Sequence, residues 1–112
     1  MPTINSSITE SGTHDVIFDL APFPMWIYSL KDLRFLAVNQ EAIRHYGYTR
    51  KEFSQMTLRD IRPAEDIPKL EKAIKEARYR TEHFKQSLFK HRKKDGSIIH
   101  VQLKANLINF QG

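Results

Sequence analysis

Hydrophobic and polar residues alternate strictly over residues 99–107, which is the period of a β-strand with one buried and one solvated face. The residues on the dry face are Ile99, Val101, Leu103, Ala105 and Leu107. Residues 84–93 also have the composition of a strand, and the Asp-Gly pair at 95–96 favours a hairpin between the two segments. The pattern therefore predicts an antiparallel pair at the end of the chain.

The register of this hairpin stays open, because side chains change face with every one-residue shift. A two-residue turn would bury Leu88, expose Phe89 and place His91 opposite His100 on the wet face. A loop with an odd number of residues would reverse the faces.

Residues 35–53 contain the clearest signals for the start and end of helices. A short apolar strand ends at Val38, Asn39 can cap the following helix, and a glycine at position 47 ends it. Thr49 and Glu52 then have the spacing of a capping box for a second helix. Asn39 and Thr49 are thus interpreted as structural caps.

Helical spacing returns after Pro63 and predicts the longest helix of the chain, at residues 67–78. Asp66 is expected to cap this helix, and Pro68 lies in its first turn, where it removes no intrahelical bond. The residues on its buried stripe are Ile67, Leu70, Ala73, Ile74 and Ala77.

The first part of the chain divides by composition into three segments. Residues 1–13 are polar and are expected to form a mobile tail. Residues 14–24 are expected to hold a short helical or connecting segment that ends at two prolines. Residues 25–30 and 35–38 have strand composition and are close enough to pair as a hairpin, so the main domain is expected at residues 25–112.

Three segments resemble, in order, the PAS family of sensory modules: VNQEAIRHYGYTRKEF, LRDIRPAEDIP and HRKKDGSIIHV. The resemblance covers residues 22–112 and implies an α+β fold, in which an antiparallel sheet is flanked on one face by short helices. It also implies a sensory and dimerising role without catalysis of its own, in a larger signal-transduction protein such as a sensor histidine kinase of a two-component system. A cyclase output is a second option for the parent chain.

The family's sheet has five strands, with the last strand in the middle, whereas only four can be counted in residues 25–112. The domain is therefore expected to be truncated before its final central strand. The segment at residues 15–20 or a strand from a second copy could fill the gap, and we predict the second copy, because exposed strand edges template pairing between identical chains. The partners expected are a second copy, as a dimer or higher oligomer, and an output domain.

The chain has no cysteine, which excludes the cysteinyl flavin adduct and the thioester-linked chromophore found in parts of the family. The predicted long helix has no histidine to act as an axial haem ligand. The expectation is a colourless domain without a cofactor, although a small molecule or non-covalent flavin is compatible with the sequence. A plain filled core is the favoured interpretation of the apolar set, and any ligand would be lined by Tyr28, Val38, Ile43, Tyr46, Phe53, Met56, Ile61, Leu70, Ile74 and Leu103.

Other function classes find little support in the sequence. No nucleophile motif or glycine-rich phosphate loop is present, so no catalytic residue is predicted. The pair His91 and His100 lacks a third ligand, so no metal site is expected. The net charge of +5 and the basic run at residues 90–94 leave a small nucleic-acid-binding domain as the alternative function.

No segment has the length of a membrane span or the pattern of a secretion signal, so the expected location is cytoplasmic, with no membrane contact by this chain.

Overall fold

The computed structural model describes residues 3–6, 13–79 and 84–106 and shows a mixed helix and strand architecture. Its elements are β1 (Thr3–Ser6), α1 (Thr13–Leu20), β2 (Trp26–Tyr28), β3 (Phe35–Val38), α2 (Gln40–Tyr46), α3 (Arg50–Phe53), the 3₁₀ turns Leu58–Ile61 and Ala64–Asp66, α4 (Ile67–Tyr79), β4 (Phe84–Arg92) and β5 (Ile98–Asn106). The predicted α+β fold is confirmed. No helix in these ranges is long and apolar enough to cross a bilayer.

The strands form two sheets, one with the order β1-β5-β4 and one in which β2 pairs with β3. Both hairpins are antiparallel, whereas β1 runs parallel to β5, with Thr3 opposite Gln102 and Ser6 opposite Ala105. Residues 3–6, which the sequence assigned to a mobile tail, form β1 in the structure; the rest of that segment, apart from Thr13 at the start of α1, lies outside the described residues. Sequence patterning missed this strand because four residues held by backbone hydrogen bonds need no hydrophobic alternation.

The prediction of which segment pairs with the free edge of β5 is also corrected. Residues 15–20 lie in α1 and not in a strand. The edge of β5 from Gln102 to Ala105 pairs with β1 of the same chain, so no second copy is needed at these four positions.

The β4–β5 hairpin has the odd-length loop, because Arg92 pairs with Ile98 around residues 93–97. Phe89 is consequently buried and Leu88 is 55% exposed. The opposition of His91 and His100 that a two-residue turn would have produced does not occur, since His91 pairs with Ile99 and lies on the core face.

The shape of the loop explains why the Asp-Gly signal did not produce a two-residue turn. The Lys93 backbone N–H donates to the Ser97 carbonyl at 2.9 Å, and the Asp95 carboxylate accepts from the Ser97 N–H at 2.9 Å. Gly96 has φ +90°, a conformation that glycine adopts without a Cβ penalty. The Asp-Gly pair thus lies inside a longer loop.

The main core lies between the strands, the short helices and α4. Its buried residues include Trp26 of β2, Tyr46 of α2 and Leu70 of α4. The alternation predicted for β5 is confirmed where side chains are described, because Val101 is fully buried and Ile99 and Leu103 pack against the main cluster. A second, smaller cluster under α1 consists of Phe18, Met25 and Ile27, with Ala21, Phe23 and Ala37 beside it.

The tip of the β4–β5 hairpin is attached to the end of α2. The Lys94 N–H donates to the Tyr46 carbonyl at 2.9 Å, and the Lys94 ammonium pairs with Glu52 at 2.9 Å. Gly47 ends α2 with φ +88°, and a Cβ there would lie 3.4 Å from the Cβ of Lys94. Glycine therefore both permits the turn and lets the hairpin approach closely.

Candidate functional site

Asn39 is fully buried, and all of its hydrogen-bonding capacity is used. Its side-chain oxygen accepts from the N–H of Ala42 at 3.0 Å, which caps α2, and from the N–H of Met25 at 2.9 Å. Its amide nitrogen donates to the carbonyls of Phe18 at 3.1 Å and Phe23 at 2.9 Å. Asn39 is thus a cap that also joins α1, the following loop and Met25, the residue before β2.

Thr49 and Glu52 form the capping box of α3. The Thr49 hydroxyl accepts from the Glu52 N–H at 3.0 Å, and the Glu52 carboxylate accepts from the Thr49 N–H at 2.8 Å. The hydrogen bond from the Thr49 backbone N–H lowers the pKa of Glu52, and the hydrogen bond and charge of the Lys94 ammonium lower it further. Tyr48 contacts Phe53 edge to face at 5.6 Å, as a hydrophobic staple requires.

Asp66 forms a long-range hydrogen bond in addition to its predicted position before the long helix. It lies in a 3₁₀ turn before α4, is buried, and accepts a hydrogen bond from the backbone N–H of Lys90 at 3.0 Å. Its carboxylate therefore links the start of α4 to β4. The sequence could not show this bond, because the partner lies 24 residues further along the chain.

The structure brings all ten predicted pocket residues into one cluster. Six of them are buried, and the other four, which are partly buried, are Tyr28, Ile43, Met56 and Leu103. Edge-to-face contacts such as Trp26 with Tyr46 at 5.5 Å fill this region with aromatic rings. The cluster is an apolar core, and a ligand bound within it stays a prediction.

Two buried polar residues that sequence reasoning did not select adjoin this core. His91 is fully buried on β4, and Arg62, in the loop before α4, is 3% exposed. The Arg62 guanidinium lies 4.4 Å from the centre of the Phe89 ring, and Phe89 and His91 share the core face of β4. These two side chains lie beside a mainly apolar core, close enough for the charge of Arg62 to act on His91.

Arg62 keeps its charge at this site. Burial lowers the pKa of Arg62 to about 10, while the nearby Tyr46 and Asp66 partly oppose the shift. The guanidinium is therefore protonated at neutral pH. Its Nε and Nη1 atoms are buried and have no hydrogen-bond partner.

His91 is held by Tyr46, whose hydroxyl lies 2.6 Å from its Nδ1. Burial lowers the pKa of His91 well below its usual value, and the charge of Arg62 acts in the same direction, so His91 is neutral. Burial also raises the pKa of the Tyr46 phenol, which keeps its proton. The other ring nitrogen of His91, Nε2, is buried without a partner.

The signals for this site were present in the sequence but ambiguous. His91 follows Phe89 at strand spacing, so an odd-length loop would have placed both on the core face. Arg62 carried no such signal, because it lies in an irregular segment, where no period assigns a face.

The basic hairpin tip does not have the features of a nucleic-acid interface. Lys94 pairs with Glu52, and the Lys90 ammonium lies 3.6 Å from the Glu65 carboxylate. The alternative function is therefore not supported. Within the described ranges, no three His, Asp or Glu residues are grouped as a metal site.

Comparison with known proteins agrees with this architecture. The family model for the PAS fold matches residues 35–112. No curated protein matches the chain.

Three solved structures share the fold. A domain of a sensory box sensor histidine kinase/response regulator from Geobacter sulfurreducens is 21% identical, with a TM-score of 0.68 over 84% of this chain and 80% of that one. The PAS domain of an HTR-like protein from Haloarcula marismortui is 16% identical, with a TM-score of 0.74 over 88% and 78%. A PAS domain from a two-component sensor histidine kinase is 22% identical, with a TM-score of 0.57 over 71% and 67%.

The family model spans both the short helices and the β4–β5 hairpin of this chain. The chain belongs to the PAS fold family.

Proposed function

We propose that this chain is the sensory module of a longer signal-transduction protein of the sensor histidine kinase class. The observation that carries the proposal is the family match over residues 35–112. Two of the similar structures come from proteins whose names include sensor histidine kinase, which favours that output over a cyclase. We also propose a cytoplasmic location, where ATP is available for phosphoryl transfer.

A chimeric kinase tests the signalling role. Residues 1–112 would replace the PAS domain of a soluble histidine kinase, and autophosphorylation would be measured with labelled ATP. Tyr46→Phe, which removes the hydroxyl beside His91, should change the rate, whereas the exposed Gln55→Ala should not. A kinase whose rate is the same with this domain, with its Tyr46→Phe variant and with a flexible linker in its place would contradict the proposal.

We further propose that the module self-associates, with α1 as the contact surface. Three apolar side chains of α1 are exposed to solvent, namely Val16 at 55%, Ile17 at 62% and Leu20 at 63%. Neighbouring exposed apolar residues are typical of interaction surfaces. This surface is now the better-supported contact, because the edge of β5 from Gln102 to Ala105 is paired within the chain.

Light scattering after size exclusion measures the oligomeric state. The 112-residue chain should run as a dimer or higher oligomer, and Ile17→Asp should shift it toward the monomer. Gln55→Asp, which adds the same charge at another exposed position, should not. A monodisperse monomer at high concentration would end this proposal.

No cofactor is proposed, and the purified chain should be colourless. The absence of cysteine leaves no covalent attachment of the kind that flavin-adduct or thioester-linked photosensors use. The absorbance spectrum of freshly purified protein is the measurement, and a Soret or flavin band would contradict the expectation.

A further inference from the structure

We propose that Arg62 and His91 form a recognition site for a small carboxylate ligand inside the domain. The inference rests on the proposed sensory function and names the chemistry of its signal. It is carried by three buried nitrogen atoms that have no hydrogen-bond partner: Nε and Nη1 of Arg62 and Nε2 of His91.

Such atoms are rare in folded proteins, because a buried polar group without a partner destabilises the native state. The effect is larger for a charged group, which normally has an oppositely charged or hydrogen-bonded partner. Arg62 is 3% exposed and His91 is fully buried, so bulk water does not supply the missing bonds. Both residues are therefore built for a partner that lies inside the domain.

The neighbouring acidic groups do not supply that partner. The Asp66 carboxylate is close enough to favour the charged form of Arg62, but it accepts its hydrogen bond from the backbone N–H of Lys90. Glu65 pairs with the Lys90 ammonium at the surface. The Phe89 ring attracts the guanidinium but accepts no conventional hydrogen bond from Nε or Nη1.

The unpartnered atoms also define the chemical class of the ligand. The protonated Tyr46 hydroxyl can donate to Nδ1 of the neutral His91, which leaves the ring proton on Nε2. In this tautomer all three unpartnered atoms of Arg62 and His91 are donors. An ionised carboxylate only accepts hydrogen bonds and carries the charge that complements Arg62.

Ligands that carry donors or a positive charge of their own fit this set less well. In the described part of the chain, the buried side-chain atoms without a partner are all nitrogens, with Nε2 of His45 as the fourth. A neutral amide or a cation would need acceptors that this set does not offer. The packed rings of Trp26 and Tyr46 beside His91 favour a ligand of a few atoms.

Thermal unfolding of the 112-residue chain tests the site. The probes are sodium formate, acetate and pyruvate, compared with sodium chloride at equal ionic strength and with acetamide, the neutral analogue of acetate. A ligand that binds only the folded state raises Tm with its concentration. At least one carboxylate should raise Tm saturably, whereas chloride and acetamide should not.

Arg62→Met removes the charged donors and keeps a long apolar side chain over Phe89. It should weaken the apparent affinity for the carboxylate by about tenfold or more, because a hydrogen bond to a charged group is lost. Arg59→Met is the matched control, because Arg59 is an exposed arginine that pairs with Glu71. It should leave the response unchanged. If Arg62→Met does not fold, Arg62→Gln provides the same comparison.

A nitrogen-15 spectrum of the imidazole adds a direct readout, since it should show the proton on Nε2 of His91 and a shift when the carboxylate is added. The proposal is overturned if no carboxylate gives a saturable response, if acetamide acts like acetate, or if Arg62→Met responds like the wild type. A kinase chimera that ignores the domain while the carboxylate still binds would overturn the signalling role alone. A coupled chimera without a carboxylate response would overturn this site alone.

Discussion

Asn39 and Arg62 are both buried polar residues, but they differ in how fully the protein satisfies their hydrogen-bonding groups. The Asn39 side chain forms four hydrogen bonds with the protein, to groups of α1, the following loop, the residue before β2, and α2. Arg62 has two buried nitrogens without a partner, and His91 nearby has one. A satisfied buried group stabilises one conformation, whereas an unsatisfied one leaves binding capacity available. The first kind is a structural element, and the second identifies a site.

The largest effect is expected for Asn39→Ala, which removes all four bonds at once. It would leave the Met25 and Ala42 N–H groups without their acceptor, and buried unpaired groups cost roughly 1 to 3 kcal/mol each. The free energy of unfolding in urea should fall by about 3 to 5 kcal/mol. The neighbouring Gln40→Ala, which loses one exposed bond to Asp19, should stay within about 0.5 kcal/mol of the wild type. If Asn39→Ala lowered the free energy of unfolding by less than about 1 kcal/mol, the difference drawn between Asn39 and Arg62 would be wrong.

The pH dependence of stability probes His91. Because burial lowers its pKa in the folded state, the unfolded chain binds more protons below the unperturbed value of about 6.5. Stability should therefore be fully present above that pH and should fall as the pH drops, by up to about 1.4 kcal/mol per pH unit. Urea unfolding at about pH 7.5 and about pH 5.5 measures the effect.

His91→Gln cannot titrate and should flatten this dependence. Burial also lowers the pKa of His45, which is only half-buried, so His45→Gln should remove a smaller part. An equal slope in the wild type and in His91→Gln would show that His91 is not the buried neutral group described here.

Thr49→Ala should have a moderate effect, because it removes one hydroxyl acceptor from an exposed capping box. The expected loss in the free energy of unfolding is about 1 kcal/mol. Thr49→Ser retains the hydroxyl and should differ from the wild type by much less. A loss below about 0.2 kcal/mol for Thr49→Ala would contradict the capping role.

The smallest effect on stability is expected for Arg62→Met, although Arg62 is as buried as Asn39. Removal of a buried guanidinium with two unpaired nitrogens relieves a desolvation cost, and the methionine retains apolar contact with Phe89. The free energy of unfolding without ligand should be equal to or above that of the wild type. A loss as large as that of Asn39→Ala would mean that Arg62 is a structural residue.

The two residues also differ in how far the sequence could predict them. The capping bond of Asn39 is local, so a polar residue between a strand and a helix was enough to predict it. Its bonds to Phe18, Phe23 and Met25 span 14 to 21 residues and follow from tertiary packing alone. Local signals likewise predicted the Thr49 box and the alternation in β5.

Prediction was weakest in two situations. In the β4–β5 hairpin, the face on which a side chain lies depends on the exact number of loop residues. At Arg62 and in β1, no periodic pattern of hydrophobic residues assigns a face. One extra residue in the loop at 93–97 moved His91 from the surface to the core. Arg62 lies between a 3₁₀ turn and a proline, and β1 is held by backbone bonds. The core was therefore largely predictable, whereas the polar site inside it was not.

Tyr46 has a mechanical consequence for the domain. Its hydroxyl is bonded to His91 near the end of β4, and its carbonyl accepts from Lys94 at the hairpin tip. Because these two hydrogen bonds hold the hairpin at two different positions along its length, the hairpin cannot rotate about either bond alone. A displacement of His91 is therefore transmitted to α2 as a movement of the whole hairpin. The buried end of β4 and the loop at residues 93–97 then move together as one rigid unit.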